Sequence, residues 1–377
     1  MAGRAKSLKA EGRDILDFAL GEPDFDTPAN IQQAAIEAMR SGKTHYTPPA
    51  GILELRQAVA SIYERAHVPT RAEQVVISNG AKHAIHNALM ATCNPGDEVL
   101  IPAPYWVSYA DLVKLAGAVP VILTTSEDEG FKLAPTQLRD AITPRTRLLM
   151  LNSPSNPTGI VYSRAELERL ADVVLNSSIG VLSDEIYEQL CYGSATPTIF
   201  ASLHPDLPSR TITISGVSKT YAMTGWRIGW SVAPLPISRF IADLQSQETS
   251  NPCSISQYAA LEAIKGPQNS IREMHAEFAL RRNYVLDRVA RLPGVQCVPP
   301  DGAFYVFLNI KQHYGRHLGG QLIQNCTDFC MAALESAGVA LVMGEAFGCA
   351  GYARLSFATD METLRRGFDA LEQFLKA

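Results

Sequence analysis

Four short segments carry side chains able to do chemistry, and each follows an apolar run. In residues 183–188 (SDEIYE) Asp184 ends the run GVLS, so its carboxylate sits at the carboxyl end of a strand. Ligands of open α/β sheets bind at such ends, although an Asp there also suits the cap of a following helix. In residues 153–159 (SPSNPTG) Asn156 lies in a proline-stiffened turn; its amide can address a ligand ring or simply shape the turn. In residues 78–82 (SNGAK) Gly80 permits close backbone approach at the start of a helix. The free N–H groups and partial positive charge of such a start bind phosphate, and a plain glycine turn is the competing reading. The fourth segment, residues 215–230 (SGVSKTYAMTGWRIGW), holds Lys219 among small and hydroxyl residues, with Arg227 eight positions on. A guanidinium fork matches phosphate oxygens. A lysine behind a strand is usually a solvated one, but the aromatic, glycine-rich stretch at 221–230 is unlike an exposed loop.

The elements that must position these segments alternate along the chain. Strands are expected at 74–78, 98–101, 119–123, 147–152, 180–183 and 211–215. Helices are expected between them at 81–93, 106–116 and 164–176. Strand and helix in alternation, with short connections, specify an α/β fold with a mainly parallel sheet covered by helices. Beyond about residue 265 the pattern changes to a long charged helix at 270–291, a helix near 321–337 and strands at 339–342 and 352–357, which reads as a smaller α+β domain.

Composition narrows the classes. The chain has 377 residues, with 46% hydrophobic and 19% charged residues, as in ordinary soluble domains. A net charge of −5 gives no nucleic-acid footprint. No apolar run of about 18 residues and no leader-like segment is present, so neither a membrane nor export is expected. Seven scattered cysteines do not form a disulfide framework. Cys326 and Cys330 have half the spacing of a metal site, but nothing completes it and packing is the expectation, with no metal bound. A reducing, cytoplasmic compartment follows.

The motifs also occur together and in one order. They are GEPDFDTP at 21–28, HYTPPAG at 45–51, SNGAK at 78–82, PAPYWVSYAD at 102–111 and SPSNPTG at 153–159, then SDEIYE at 183–188, SKTYAMTGWRIG at 218–229, GAFYVF at 302–307 and RLSFAT at 354–359. In these the chain resembles, nearly end to end, the class I aminotransferases of the aspartate aminotransferase family, most closely their aspartate/prephenate branch. The resemblance implies pyridoxal 5'-phosphate (PLP) as cofactor and the fold-type I architecture, with a mainly parallel seven-stranded sheet. It implies a large PLP-binding domain over 30–272 and a small domain of 1–29 plus 273–377. Lys219 would be the Schiff-base lysine, Asp184 would face the pyridine nitrogen, and Asn156 and Tyr187 the ring hydroxyl. Trp106 would stack on the ring. Gly80, Ala81 and Arg227 would hold the phosphate with Ser215 or Ser218, and Tyr46 would reach the phosphate in the neighbouring subunit of a homodimer. Arg354 would bind the substrate α-carboxylate, with Gly21 and Asn156 lining that site. Many relatives carry Ser three residues before the lysine; here, as in the aspartate/prephenate branch, Gly216 stands there.

The implied chemistry explains these residue types. Transamination moves a proton from the substrate Cα to the cofactor, which serves as the electron sink. A free lysine, with its reference pKa of about 10.4, would be charged and inert at neutral pH, whereas an imine avoids this and the released amine can shuttle the proton. In the resembled branch the lysine at the position of Lys82 is associated with the substrate's distal carboxylate; a second phosphate contact or a solvated helix-start lysine are the alternatives. Aspartate and 2-oxoglutarate are therefore the expected substrates, exchanged in a ping-pong cycle with oxaloacetate and glutamate. A bifunctional aspartate/prephenate enzyme making arogenate is the alternative. Relatives usually carry a further segment before the stretch matching 5–12, and its truncation here weighs against prephenate. Alanine or aromatic aminotransferases, C–S lyases, decarboxylases and a non-catalytic PLP-binding regulator are the remaining readings; Lys82 speaks against the first two, and the negative charge and short N-terminus against the last.

Overall fold

The computed structural model describes residues 2–376. Its main sheet is built from β1 (Val75–Ser78), β2 (Glu98–Ala103), β3 (Val119–Thr124), β4 (Thr146–Asn152), β5 (Gly180–Asp184), β6 (Thr211–Gly216) and β7 (Gly229–Val232). The seven strands lie in the order β1-β7-β6-β5-β4-β2-β3. The pairs β2–β3, β2–β4, β4–β5 and β5–β6 are parallel, and only β7 runs antiparallel to its neighbours β1 and β6. The mainly parallel seven-stranded sheet is thus present. Its seventh member, β7 (GWSV), lies directly behind a glycine-rich turn and, unlike the equally short β1, has no continuous apolar run to reveal it.

Apolar side chains point to both faces, because helices cover both. Among the covering helices, in chain order, are α1 (Ala29–Arg40), α2 (Leu53–Arg65), α3 (Ala81–Thr92), α4 (Tyr109–Leu115), α5 (Arg164–Leu175), α6 (Leu235–Glu248) and α7 (Ser254–Lys265); a short helix Pro135–Ala141 packs beside α5. Val99, Ile101, Leu148, Met150 and Leu182 pack with Ile85 and Leu89 of α3 and Val113 of α4. Their alternates Leu100, Leu149, Leu151 and Val181 pack with Leu167, Leu170 and Val174 of α5. At the β1–β7 end, α1, α2 and α7 bury Ile77 and Trp230. Helix α5 starts on a capping box of Ser163 and Glu166, which satisfies its first amides. Helix α4 starts at Tyr109, three residues later than the expected 106, since the preceding residues form a turn.

The remaining elements form a second core. Helix α8 (Asn269–Val289), strands β8 (Tyr305–Asn309), β9 (Val342–Met343) and β10 (Tyr352–Ser356), and helices α9 (Cys326–Ala337) and α10 (Met361–Lys376) surround it. The strands make a three-stranded antiparallel sheet in the order β9-β10-β8. Phe18 from the N-terminal segment packs there with Phe278, Phe329 and Phe368. The single strand expected at 339–342 is two: Val339–Ala340 pairs with Leu16–Asp17, and β9 begins at Val342 in another sheet. The helix expected near 321 starts at Cys326, where the Asn325 side chain caps it by accepting from the Asp328 N–H at 2.9 Å. Cys326 and Cys330 are buried in this core, and no group able to hold a metal occurs among the described residues.

Two glycines bring β6, β7 and the start of α3 into contact. Gly216 pairs with Gly229 across the β6–β7 ladder. A Cβ on Gly216 would lie 2.8 Å from Gly229 Cα, which gives the Gly in place of Ser at this position a packing reason. A Cβ on Gly229 would lie 2.3 Å from the backbone nitrogen of Ala81 and 2.6 Å from the carbonyl carbon of Gly80. Backbone offers no rotamer by which to escape such a contact. Gly229→Ala is therefore expected to destabilise the protein by about 1–3 kcal/mol, the usual cost of overpacking. Chemical denaturation with an unchanged midpoint would refute this packing argument.

Candidate active site

A chamber of about 500 Å³ lies at the carboxyl ends of the central parallel strands. Strand β4 delivers Asn152, β5 delivers Asp184, and the turn after β6 delivers Ser218 and Lys219 to its wall. The second core contributes Tyr305 from β8 and Arg354 from β10, and the N-terminal segment contributes Ala19 and Gly21. Ala81, Lys82, Trp106, Asn156, Tyr187 and Arg227 complete the expected set at the wall. Three expected residues stand elsewhere. Gly80 lies behind Arg227, Ser215 is buried within the β6 ladder opposite Trp230, and Tyr46 is 90% exposed outside the chamber. Of the two candidate hydroxyls, Ser218 is the one at the wall.

Asp184 is buried, and its carboxylate takes hydrogen bonds from Tyr109 Oη at 2.6 Å and from the Ile186 N–H at 3.2 Å. The expected helix cap is not formed: residues 186–189 make a turn, and the Ile186 N–H bond closes an Asx turn that leaves the carboxylate at the chamber wall. Burial pushes its pKa up to about 6, against those hydrogen bonds and the charge of Lys219. A cationic group in the chamber would reverse that shift. Asn152 braces the same corner: its Nδ2 donates to the Asp184 carbonyl at 2.9 Å, and its Oδ1 accepts from the Asn156 N–H at 2.9 Å.

Lys219 Nζ donates to the Gly21 carbonyl at 2.6 Å. Burial brings its pKa down to about 8; the charge of Glu22 opposes this, and the cations Arg354 and Arg227 reinforce it. A substantial neutral fraction near pH 7–8 makes this amine a nucleophile and a base, unlike a solvated lysine.

Arg354 is buried, yet no carboxylate among the described residues holds it. Its Nη1 donates to Asn156 Oδ1 at 3.0 Å and its Nη2 to the Ala19 carbonyl at 2.7 Å, while its Nε is buried without a partner. Its guanidinium lies 4.4 Å from the Tyr305 ring centre and 5.1 Å from that of Phe347. An unneutralised, buried guanidinium with a free donor is built for an anion, above all a carboxylate.

The opposite end of the chamber suits phosphate. Helix α3 starts there with Gly80 at φ +87°, an arrangement that presents backbone N–H groups. Arg227 sits in the left-handed region at φ +57°, and its side chain is fixed by donating to the Thr224 carbonyl at 2.9 Å and the Asn79 carbonyl at 3.3 Å. A Cβ on Gly80 would lie 2.6 Å from Arg227 Nη2, so glycine lets the guanidinium close on the helix start. Lys82 leaves the same helix with Nζ 5.0 Å from the Trp106 ring centre.

The sequence pattern does not single out Asn152, the Ala19 carbonyl, Tyr109 or Tyr305. Tyr109 holds Asp184, and the only signal was its place three residues after Trp106 within PAPYWVSYAD. Tyr305 Oη lies 2.8 Å from Tyr187 Oη, and its clue was the GAFYVF motif.

The family model for aminotransferase class I and II matches residues 13–371. An aspartate/prephenate aminotransferase from Cereibacter sphaeroides is 46% identical over 377 residues, covering 99% of this chain and 94% of that protein. An aspartate aminotransferase from Geobacillus stearothermophilus is 44% identical over 375 residues, covering 99% of this chain and 94% of that protein. The crystal structure of the aspartate aminotransferase from Rhizobium meliloti is similar with a TM-score of 0.96 at 40% identity, covering 100% of this chain and 94% of that one.

The site electrostatics give a measurable titration. In the ligand-free protein, acylation of Lys219 should rise with pH through a midpoint near 8, because the amine reacts only when neutral and burial favours that form. Glu22→Gln should move the midpoint further down, since the Glu22 charge is the leading electrostatic support for the ammonium form. Peptide-level mass spectrometry across pH checks both; a midpoint near that of free lysine, about 10.4, would exclude this environment.

Proposed function

The chain belongs to the class I and II aminotransferases, and on that premise we propose that it moves an amino group between aspartate and 2-oxoglutarate, giving oxaloacetate and glutamate, with PLP as cofactor. The observation that carries the reading is Arg354: a buried cation with an unpartnered Nε, in the same chamber as a lysine of lowered pKa.

The residues fit PLP. The start of α3, Arg227 and Ser218 would hold its phosphate, Trp106 would cover its ring, and Asn156 and Tyr187 would address its ring hydroxyl. Asp184 would face its ring nitrogen, where a protonated nitrogen would supply the positive charge that this buried carboxylate lacks. When bound, PLP supplies the carbonyl that takes up the amino group and the ring that accepts electron density from the substrate Cα. Arg354 would grip the α-carboxylate through its fork and so fix the orientation of Cα. Lys219 Nζ, neutral in part near pH 8, would take the Cα proton and return it. Lys82, exposed at the helix start and close to Trp106, would meet the second carboxylate of a dicarboxylic substrate. Prephenate also has a second carboxylate, and the 46% identical relative named for both substrates supports it as a second acceptor.

The same reading divides the chain into a 30–272 cofactor domain and a small domain of 1–29 with 273–377, supported by the packing of Phe18 with α8, α9 and α10. A reducing, cytoplasmic location is supported by seven unpaired cysteines, and no described helix is long and apolar enough to cross a membrane.

Mixing the PLP-loaded protein with single amino acids and following the cofactor absorbance tests the substrate. Aspartate and glutamate should convert the cofactor rapidly to its amine form and alanine should not; prephenate should then restore the aldehyde form if the second reading holds. Lys82→Ala should lower kcat/KM for aspartate about ten- to a hundredfold, the range of one charge-assisted hydrogen bond. No conversion by any amino acid would overturn the assignment.

A homodimer with shared sites follows from Tyr46, whose ring is 90% exposed and whose motif is expected to serve a neighbouring subunit. Sedimentation should give a dimer, and Tyr46→Phe should weaken PLP binding; a fully active monomer would remove this role.

A further inference from the structure

The phosphate-binding loop is braced from behind by a chain of side chains that the transamination chemistry does not use. Asn79 is its first link. The Asn79 carbonyl accepts from Arg227 Nη2, and its backbone N–H donates to Nδ1 of His83, one helical turn on, at 3.3 Å. The Asn79 side-chain Nδ2 lies 3.4 Å from the same ring nitrogen and donates to Thr249 Oγ1 at 3.2 Å. On the far side of the ring, His83 Nε2 is 3.3 Å from Glu248 Oε2, and His86 Nε2 is 3.4 Å from Glu248 Oε1. Helix α6 ends at Glu248, so the brace ties the end of one helix to the start of another.

The chemistry of the two ring nitrogens is fixed by their neighbours. A backbone N–H is only a donor, so Nδ1 must present its lone pair to Asn79. The ring proton then sits on Nε2, where it meets the Glu248 carboxylate. Both contacts select the same neutral tautomer, as paired contacts do for imidazoles that act as ligands. Burial favours the neutral ring as well, outweighing Glu248. Loss of the Nδ1 acceptor would leave the Asn79 N–H unpaired and free the loop that sets Gly80 against Arg227.

We propose that His83, oriented by Glu248, is a positioning residue that holds the 79–81 loop in the shape that binds a phosphate monoester, and thereby sets how tightly the phosphate-bearing cofactor is retained. The inference rests on the reading of this chamber as a PLP site. It concerns affinity for the phosphate end, not the reaction at Lys219.

Equilibrium titration of the apoenzyme with PLP, and separately with pyridoxal lacking the phosphate, tests it. His83→Phe keeps an aromatic ring but no acceptor, and should weaken PLP binding about three- to tenfold, the range of one neutral hydrogen bond. Binding of pyridoxal should be unchanged. His83→Asn, whose Oδ1 can accept from the same N–H, should return PLP affinity to within about twofold of the wild type. Unchanged PLP affinity in His83→Phe would overturn the proposal. Equal weakening in His83→Asn, or equal weakening toward pyridoxal, would also overturn it by showing a general packing effect. A wild type that bound no PLP would overturn the cofactor reading and this inference with it.

Discussion

The site depends on buried charges that make no salt bridge among the described residues. Asp184 is satisfied by a phenol and an amide N–H, Lys219 by a carbonyl, and Arg354 by an amide oxygen and a carbonyl. Neutral partners compensate an ionised group only in part, and the remaining desolvation cost appears in the shifted titrations. Asp184 is pushed up to about 6 and Lys219 down to about 8. A ligand that brings a cation to Asp184 and a carboxylate to Arg354 removes that cost at both ends. Binding strength and chemical selectivity therefore have a common origin here.

Topology brings the charges together. Parallel strands share one direction, so β4, β5 and β6 end on the same edge, and each ends on a functional residue or on a turn that carries one. Arg227, two residues ahead of the reversed strand β7, stands against the start of α3. Gly216, Gly229 and Gly80 remove the side chains that would hold these three pieces apart. The end of the chamber proposed to hold phosphate is consequently shaped by backbone approach as much as by the arginine.

The N-terminal segment forms part of the chamber wall. The Ala19 carbonyl takes the Arg354 bond and the Gly21 carbonyl takes the Lys219 bond. Glu22 accepts from Thr224 at 2.7 Å, Asp24 pairs with the buried Arg281 at 2.6 Å, and Thr27 both donates to the Ala222 carbonyl and accepts from Trp226. The segment is thus sewn to residues of both cores. Its carbonyls are weaker partners for Lys219 and Arg354 than an anionic group would be.

What the sequence determined alone was the repeating order of apolar strand and helix, and the chemical types at or just after strand ends: Asn156, Asp184 and Lys219, with Arg227 in the turn ahead of the next strand. These were legible because a strand buried on both faces must be a continuous apolar run, and because a ligand-facing residue at its end breaks that run. The elements left unread were those whose signal is short or shared. Strand β7 (GWSV) has no continuous apolar run, and the 339–342 run divides between two sheets because its halves find different partners. Tertiary structure alone decided which polar groups are paired. That Tyr109 holds Asp184, that Tyr305 meets Tyr187, that His83 braces Asn79, and that Arg354 is left with a free Nε all depend on contacts between residues far apart in the chain or on side-chain direction. Residue type states what a group can donate or accept; only the folded chain states whether that capacity is already used.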